Sequence, residues 1–311
     1  MVGSLMPRPP DLRTPEQRQS PPTERVIAVI NLLTAHPQRR FTLTDITRQL
    51  DITKATCHVL LRSLTGAGYL VRHPDKTYTL GPALVAAGRV AQQSFSALGA
   101  ARSEMELLAD RYDAVVSAAA SVGDELVVVE RVGSTDAADR LEVGHRIPFM
   151  PPFGLPFVAW GGEGALEEWI GRSGRPAGPG ELDRWAEVCV GLRSLGYGVE
   201  DMAESSGRVR RLVGELADEQ LTPSVKQLLN RLIDEIGPSH YLPSDLRGAA
   251  KLPVSVIFAP VLGPTGQAEM SIALNMFREM TPRQVKHAGE EIAATGERLS
   301  GVLGLNGALV R

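Results

Sequence analysis

The chain has 311 residues, 43% of them hydrophobic, with 33 Lys and Arg against 36 Asp and Glu. That length is long for one small domain and suits two, and the apolar content supplies a real core. No apolar run reaches the length of a membrane span, the opening residues do not read as a secretory leader, and two cysteines, Cys57 and Cys189, make neither a disulfide framework nor a zinc site, a pattern that fits a reducing cytoplasm.

The charge is unevenly distributed. Residues 1–90 hold 12 Lys and Arg against 6 Asp and Glu, a net of +6, and the remainder holds 21 against 30, a net of −9. A basic head on an acidic body is what duplex binding asks for, because neutralising phosphate supplies most of the raw affinity.

In chain order, residues 1–22 are rich in Pro, Arg, Gln and Ser and read as a disordered arm. Either the arm is inert or Arg8, Arg13 and Arg18 add phosphate contacts. Arg25 to Ala35 offers Val26, Ile27, Ile30 and Leu33 as a support helix that Pro37 stops. The next helix opens at Thr42 with Asp45 three residues on, a capping box. A tight turn at Asp51-Ile52 leads to a further helix, with Thr53 as N-cap for the amide of Thr56. In that helix Cys57, Leu60, Leu61 and Leu64 recur as an apolar stripe. Lys54, Ala55, His58 and Arg62 take the opposite face, suited to base edges and phosphate. Tyr69–Arg72 and Thr77–Leu80 flank His73-Pro74-Asp75-Lys76 as a hairpin with a basic tip. This order, helix, turn, helix, ribbon, is a winged helix-turn-helix. A helical hairpin used only for packing is the alternative, and the charge split weighs against it.

Ala83 to Ser94 and Leu98 to Tyr112 read as two connecting helices, with Leu84, Val85 and Val90 free to pack within the chain or in a dimer seam. From Ala114 the period changes. Val115–Val122 and Glu125–Val132 form a hairpin around Gly123-Asp124, and Arg140–Val143 is a candidate third strand. Gly144 to Pro148 begins a loop that runs into the apolar Phe149-Met150-Pro151-Pro152-Phe153. Helices follow at Leu155–Trp160, Ala165–Ile170 and Leu182–Leu195, then a short strand at Tyr197–Glu200. Pro253–Val261 and Ala268–Phe277 are apolar strands, and Thr281-Pro282 opens a last helix. Strands early and late with helices between make an α+β sensor body.

Chemistry of other kinds finds no footing. The six histidines show no metal-ligand spacing. There is no nucleophile elbow and no phosphate-cradling loop. Glu167-Glu168 and Glu290-Glu291 suit solvated helix faces. The sequence asks for no cofactor, no metal and no catalysis.

The head from Glu24 to Gly81, with Ile52-Thr53-Lys54-Ala55-Thr56-Cys57-His58 and Gly68-Tyr69-Leu70, resembles the IclR-type (isocitrate lyase regulator) transcriptional regulators. So do Val143 to Pro148, Leu192 to Asp201, and Phe258-Ala259-Pro260-Val261 in the body. The likeness covers nearly the whole chain from about residue 23 onward. It implies a winged helix-turn-helix at 23–81, a helical linker at 82–112 and a GAF-like α/β effector-binding domain at 113–311. It implies a homodimer or homotetramer on double-stranded operator DNA, repressing more often than activating, with no membrane partner. The expected DNA contacts are Thr53, Lys54, Ala55, Thr56, His58, Val59, Arg62, Arg72 and Lys76. The expected effector contacts are Phe149, Met150, Phe153, Leu155, Asp201 and Glu204, with Ala259–Leu262 nearby.

Three departures from the family pattern carry consequences. Val59 stands where Arg usually follows the recognition-helix His, so a contact to a thymine methyl or sugar replaces a polar one. The pocket loop has lost its usual His and Gly-Lys pair and gained Phe153, Phe157 and prolines. That wall suits an apolar or aromatic effector, since a carboxylate buried without donors costs several kcal/mol. Finally, an insertion at about 205–252 holds two amphipathic stretches, Arg208–Leu221 and Ser224–Ile236. They serve as a lid, a subunit contact or a surface addition packed on its own body. A sensor whose winged helix contacts protein rather than DNA remains the alternative reading.

Overall fold

The computed structural model describes residues 20–94, 96–133, 142–174, 176–201, 241 and 250–309. The head begins with α1 (Pro21–Ala35), so Pro21 and Pro22, read as the end of the arm, lie in its first turn. Proline suits that position because the first amides of a helix need no partner. Val29 and Leu33 are the buried positions of α1. β1 (Phe41–Thr42) leads into α2 (Leu43–Leu50), where Thr42 and Asp45 complete the expected capping box. α3 (Lys54–Gly66) starts on the expected cap, with Thr53 Oγ1 accepting from the Thr56 amide at 3.2 Å. Its inner side is Cys57, Leu61 and Leu64, while Leu60 is only half-buried. These residues close on Phe41, Ile46, Leu70 and Tyr78 to form the head's core.

The wing is β2 (Leu70–Arg72) and β3 (Thr77–Leu80), which pair antiparallel as expected. The head's sheet has a third strand that sequence reading missed. β1 pairs with β3, Phe41 opposite Tyr78, and two residues are too few to show a period of two. α4 (Pro82–Ser94) and α5 (Ser96–Tyr112) carry the chain into the body.

The body is built on six antiparallel strands in the order β6-β5-β4-β9-β8-β7. They are β4 (Val115–Val122), β5 (Glu125–Val132), β6 (Arg146–Pro148), β7 (Gly198–Asp201), β8 (Leu252–Leu262) and β9 (Ala268–Met280). α5 and the last helix, α9 (Pro282–Leu309), cover one face, where Met105, Leu108, Ile257, Ile272, Leu274 and Ile292 share a core. α6 (Leu155–Ala159), α7 (Ala165–Gly171) and α8 (Glu181–Leu195) cover the other, around Leu155, Trp169, Trp185 and Phe258. This is the α+β class expected: α5, α6 and α9 lie against the sheet, and α7 and α8 pack on α6 and on each other. Both thiols are packing groups. Burial raises the Cys57 thiol above its ordinary value and pushes Cys189 up to about 11.

Two expectations at the sheet edge are corrected. Arg146–Pro148, read as a loop, is strand β6, with Ile147 opposite Leu126. Arg and Pro are poor strand formers, and an edge strand tolerates them because one side of its ladder goes unpaired. Glu142 and Val143, read as the end of a third strand, lie in no strand; Arg140 and Leu141 lie outside the described residues. So do both amphipathic stretches of the insertion.

The capping box makes a testable claim. The Thr42 hydroxyl and then the Thr42 amide donate to the Asp45 carboxylate at 2.7 and 3.0 Å and hold its pKa below the ordinary value. A depressed carboxyl stabilises the fold above its unfolded pKa, and that contribution is lost as the pH falls through the folded value. Thr42→Ala should therefore cost about 1 kcal/mol at neutral pH. The gap to wild type in the denaturation midpoint should narrow below the ordinary carboxylate range.

Candidate nucleic-acid interface and ligand loop

α3 presents two faces because its apolar residues recur every three or four positions. Cys57, Leu61 and Leu64 look into the head, and Thr53, Lys54, Ala55, His58, Val59 and Arg62 are exposed. Val59 is 63% exposed, an apolar side chain that the head does not use for packing. Thr56 differs from its neighbours. It is half-buried, and its hydroxyl is paired with that of Thr53 at 2.9 Å, so capping takes part of its hydrogen-bonding capacity.

The wing tip is a built turn. His73 donates its amide to the Thr77 carbonyl at 2.9 Å, Lys76 donates to the His73 carbonyl at 3.0 Å, and Lys76 sits at φ +66°. Asp75 locks the turn by accepting from the Thr77 hydroxyl at 2.6 Å and the Thr77 amide at 3.1 Å. Those bonds, the hydroxyl first, hold its carboxyl below the ordinary value. Arg72 and Lys76 are exposed, as expected. His73 does not project freely at the tip: half-buried, its Nε2 is paired with the Thr79 hydroxyl at 2.9 Å. Arg40, which the sequence reading passed over, comes within 3.9 Å of Asp75 and adds positive charge beside the wing. Its neighbour Arg39 stacks its guanidinium on the Phe41 ring at 4.6 Å. The Arg39-Arg40 pair just before β1 was the available signal.

Head and body touch through β6. Arg146 Nη2 donates to Asn31 Oδ1 of α1 at 3.2 Å, and the same guanidinium is paired with Glu125. Gly144 lies against α1 at φ +89°, and a Cβ there would meet Thr34 Cγ2 at 2.4 Å. Only glycine serves at that point, both for its backbone conformation and for the close approach.

Directly after β6 comes the apolar loop. Phe149 packs edge-on against Phe157, centroids 5.8 Å apart, under the Arg172 guanidinium at 4.5 Å. Phe153 turns the chain by donating its amide to the Met150 carbonyl at 2.7 Å. Two rings then hold the loop's carbonyls. Trp169 Nε1 donates to Phe153 O and Tyr241 Oη to Pro152 O, each at 2.7 Å. Gly154 ends the loop at φ +87°, where a Cβ would lie 2.5 Å from the Phe149 ring.

The expected effector residues are thus only partly gathered. Phe149, Met150 and Phe153 are half-buried on one loop. Leu155 is wholly buried in the core of α6 to α8, and Asp201 ends β7, with its carbonyl accepting from Ser255 Oγ at 3.1 Å. Glu204 lies outside the described residues. Ala259 and Val261 belong to the opposite core, under α5 and α9. The pleat sends alternate residues to opposite faces, and Phe258 is the one that faces the loop side. Among the described residues no three His, Cys, Asp or Glu side chains are placed to hold a metal ion, and no helix is long and apolar enough to cross a membrane.

The geometry of the head defines a winged helix-turn-helix protein, and comparison with known proteins carries this further. Residues 22–74 match the family model of the IclR helix-turn-helix domain. The chain is 27% identical over 209 residues to the probable HTH-type transcriptional regulator ArcR of Halobacterium salinarum, covering 62% of this chain and 78% of that protein. It is also 27% identical over 146 residues to the HTH-type transcriptional regulator XynR of Escherichia coli K12, covering 46% and 58%. The IclR transcriptional regulator of Alicyclobacillus acidocaldarius shares the fold at a TM-score of 0.63, with 19% identity, over 91% of this chain and 98% of that one. Residues 22–74 are thus an IclR-type helix-turn-helix domain, and over most of its length the chain shares the fold of IclR transcriptional regulators.

The exposed cations of α3 should each neutralise phosphate. Lys54→Ala and Arg62→Ala should weaken binding to duplex DNA from the protein's own locus. Each should also flatten the plot of log affinity against log salt by about one unit. A titration series across ionic strength reads both, and an unchanged slope in both variants would mean that α3 faces elsewhere.

Proposed function

We propose that this regulator binds operator DNA as a homodimer or homotetramer and alters its grip when the body takes up a small apolar or aromatic effector. It acts as a repressor rather than an activator, in the cytoplasm, and performs no catalysis. The observation that carries the reading is the outward face of α3. Six residues that the head does not need for its own core stand on a capped helix, beside a wing with Arg72 and Lys76 at its tip. Lys54 and Arg62 suit phosphate, Ala55 and His58 suit base edges, and Val59 suits the methyl of thymine. Two such heads must meet half-sites about one DNA turn apart, or a multiple of it.

The effector reading rests on the loop that follows β6. Phe149 packs on Phe157 and borders the cluster that holds Trp169 and Trp185; the Arg172 guanidinium over Phe149 is engaged by Glu168, and the aromatic lining favours an apolar guest over a carboxylate. Arg146 lies at the start of β6, the strand that runs into this loop, and reaches α1 through Asn31. A ligand that shifts the loop therefore pulls on the head through one short strand. Such a ligand acts only in so far as it binds the two arrangements unequally.

The test is operator affinity, measured at low ionic strength with and without aromatic metabolites that stabilise the protein thermally. Failure to bind DNA from its own locus would overturn the reading. Arg146→Ala makes the coupling specific. It should leave effector binding within about twofold while reducing the effector's influence on operator affinity, because a coupling free energy is lost when its carrier is cut. Full influence in the variant would place the coupling on another route.

A further inference from the structure

Tyr241 stands apart from the rest of the aromatic core. In sequence it belongs to the long stretch between β7 and β8, 89 positions from the residue its hydroxyl binds. It belongs to no strand, and its backbone makes an isolated bridge to Glu200. Yet its side chain is 6% exposed and reaches the centre of the cluster under α6 to α8. The ring stands edge-on to Trp185, centroids 5.7 Å apart, and to Phe258 at 6.1 Å. Trp185 stands edge-on in turn to Trp169 at 4.9 Å. The hydroxyl donates to Pro152 O at 2.7 Å, on the very loop expected to meet an effector.

We propose that these walls form a phenol-binding cage and that Tyr241 fills it as a ligand supplied by the chain itself. The features that hold Tyr241 are those that would hold a free phenol. Edge-on aromatic walls suit a flat ring. The Pro152 carbonyl takes the hydroxyl proton, and without a donor that buried acceptor would carry a desolvation cost. The cage also has an unused polar group. Trp185 Nε1 is buried and meets no hydrogen-bond acceptor among the described residues. Buried donors are nearly always satisfied, so this one favours a guest with a second oxygen on its ring, an ether or carbonyl. The guest class is a substituted phenol. It competes with Tyr241, so its apparent affinity is reduced by the fraction of molecules in which the tyrosine is in place.

This inference deepens the effector reading and rests on it for its biological meaning; the binding itself can be measured without DNA. The probe is p-cresol, the tyrosine side chain as a free molecule, with toluene as the control that lacks the hydroxyl. Removing a large buried side chain leaves an apolar void of the kind that takes up small aromatic molecules. Calorimetric titration of full-length Tyr241→Ala should show p-cresol bound about tenfold or more tighter than to wild type. Toluene should bind that variant about fivefold more weakly than p-cresol, the worth of one hydroxyl–carbonyl bond. If folded Tyr241→Ala took up no p-cresol, or did not distinguish it from toluene, the cage would be ordinary core and the proposal would fail.

Should Tyr241→Ala not fold, Tyr241→Phe keeps the ring and loses the donor. It should bind p-cresol several-fold tighter than wild type, and equal affinity would overturn the proposal. Operator binding separates the two claims. Cresol bound in the cage without effect on DNA affinity would support the cage and end the effector coupling. A different metabolite that changes DNA affinity, while Tyr241→Ala ignores cresol, would do the reverse.

Discussion

The contact between Arg146 and Asn31 makes one machine of two cores. It ties the three-stranded head to the six-stranded body directly, beside the covalent path through α4 and α5. The guanidinium can bridge them because its planar fork serves two acceptors at once, Asn31 on the head and Glu125 on the body. Glycine at 144 lets α1 come close enough for that bridge to form. Partial burial matters as well. A fully exposed pair would contribute little, whereas the Arg146 side chain is 29% exposed and lies where two elements already pack.

Much of this architecture was legible in the amino-acid order. The caps at Thr42 and Thr53, the stripe of Cys57, Leu61 and Leu64, and the hairpin at Gly123-Asp124 are local signals, each set by a few neighbouring residues. The structure has them where the pattern puts them. What escaped was set by distant partners. β1 is a strand only because β3 lies beside it, and β6 only because β5 does. His73 looks like an exposed tip residue in sequence, and its pairing with Thr79 appears only in the folded hairpin. The same limit applies to the apolar loop after β6. That Phe149 to Phe153 form an apolar wall can be read directly. That Phe258 rather than Ala259 faces it depends on the phase of the β8 pleat.

The loop's chemistry departs from what a polar ligand would ask. Its two central carbonyls, Pro152 and Phe153, are held by the hydroxyl of one ring and the indole N–H of another. Aromatic side chains here do double duty, as apolar bulk and as single, directional donors. That combination fixes the two carbonyls with uncharged donors, and it ties the loop's position to the packing of four rings. A disturbance of one ring is transmitted to the others, because close-packed cores repack in discrete steps rather than deforming smoothly.

α4 runs for 13 residues, a rod of about 20 Å. Tilting such a rod by about ten degrees carries its far end roughly 3.4 Å, the rise of a single base step along one DNA strand. Small reorientations at the body end of this rod are thus converted into whole base steps at the head. In the oligomer proposed above, two heads carried on such levers would lose register with paired half-sites after a tilt of that size.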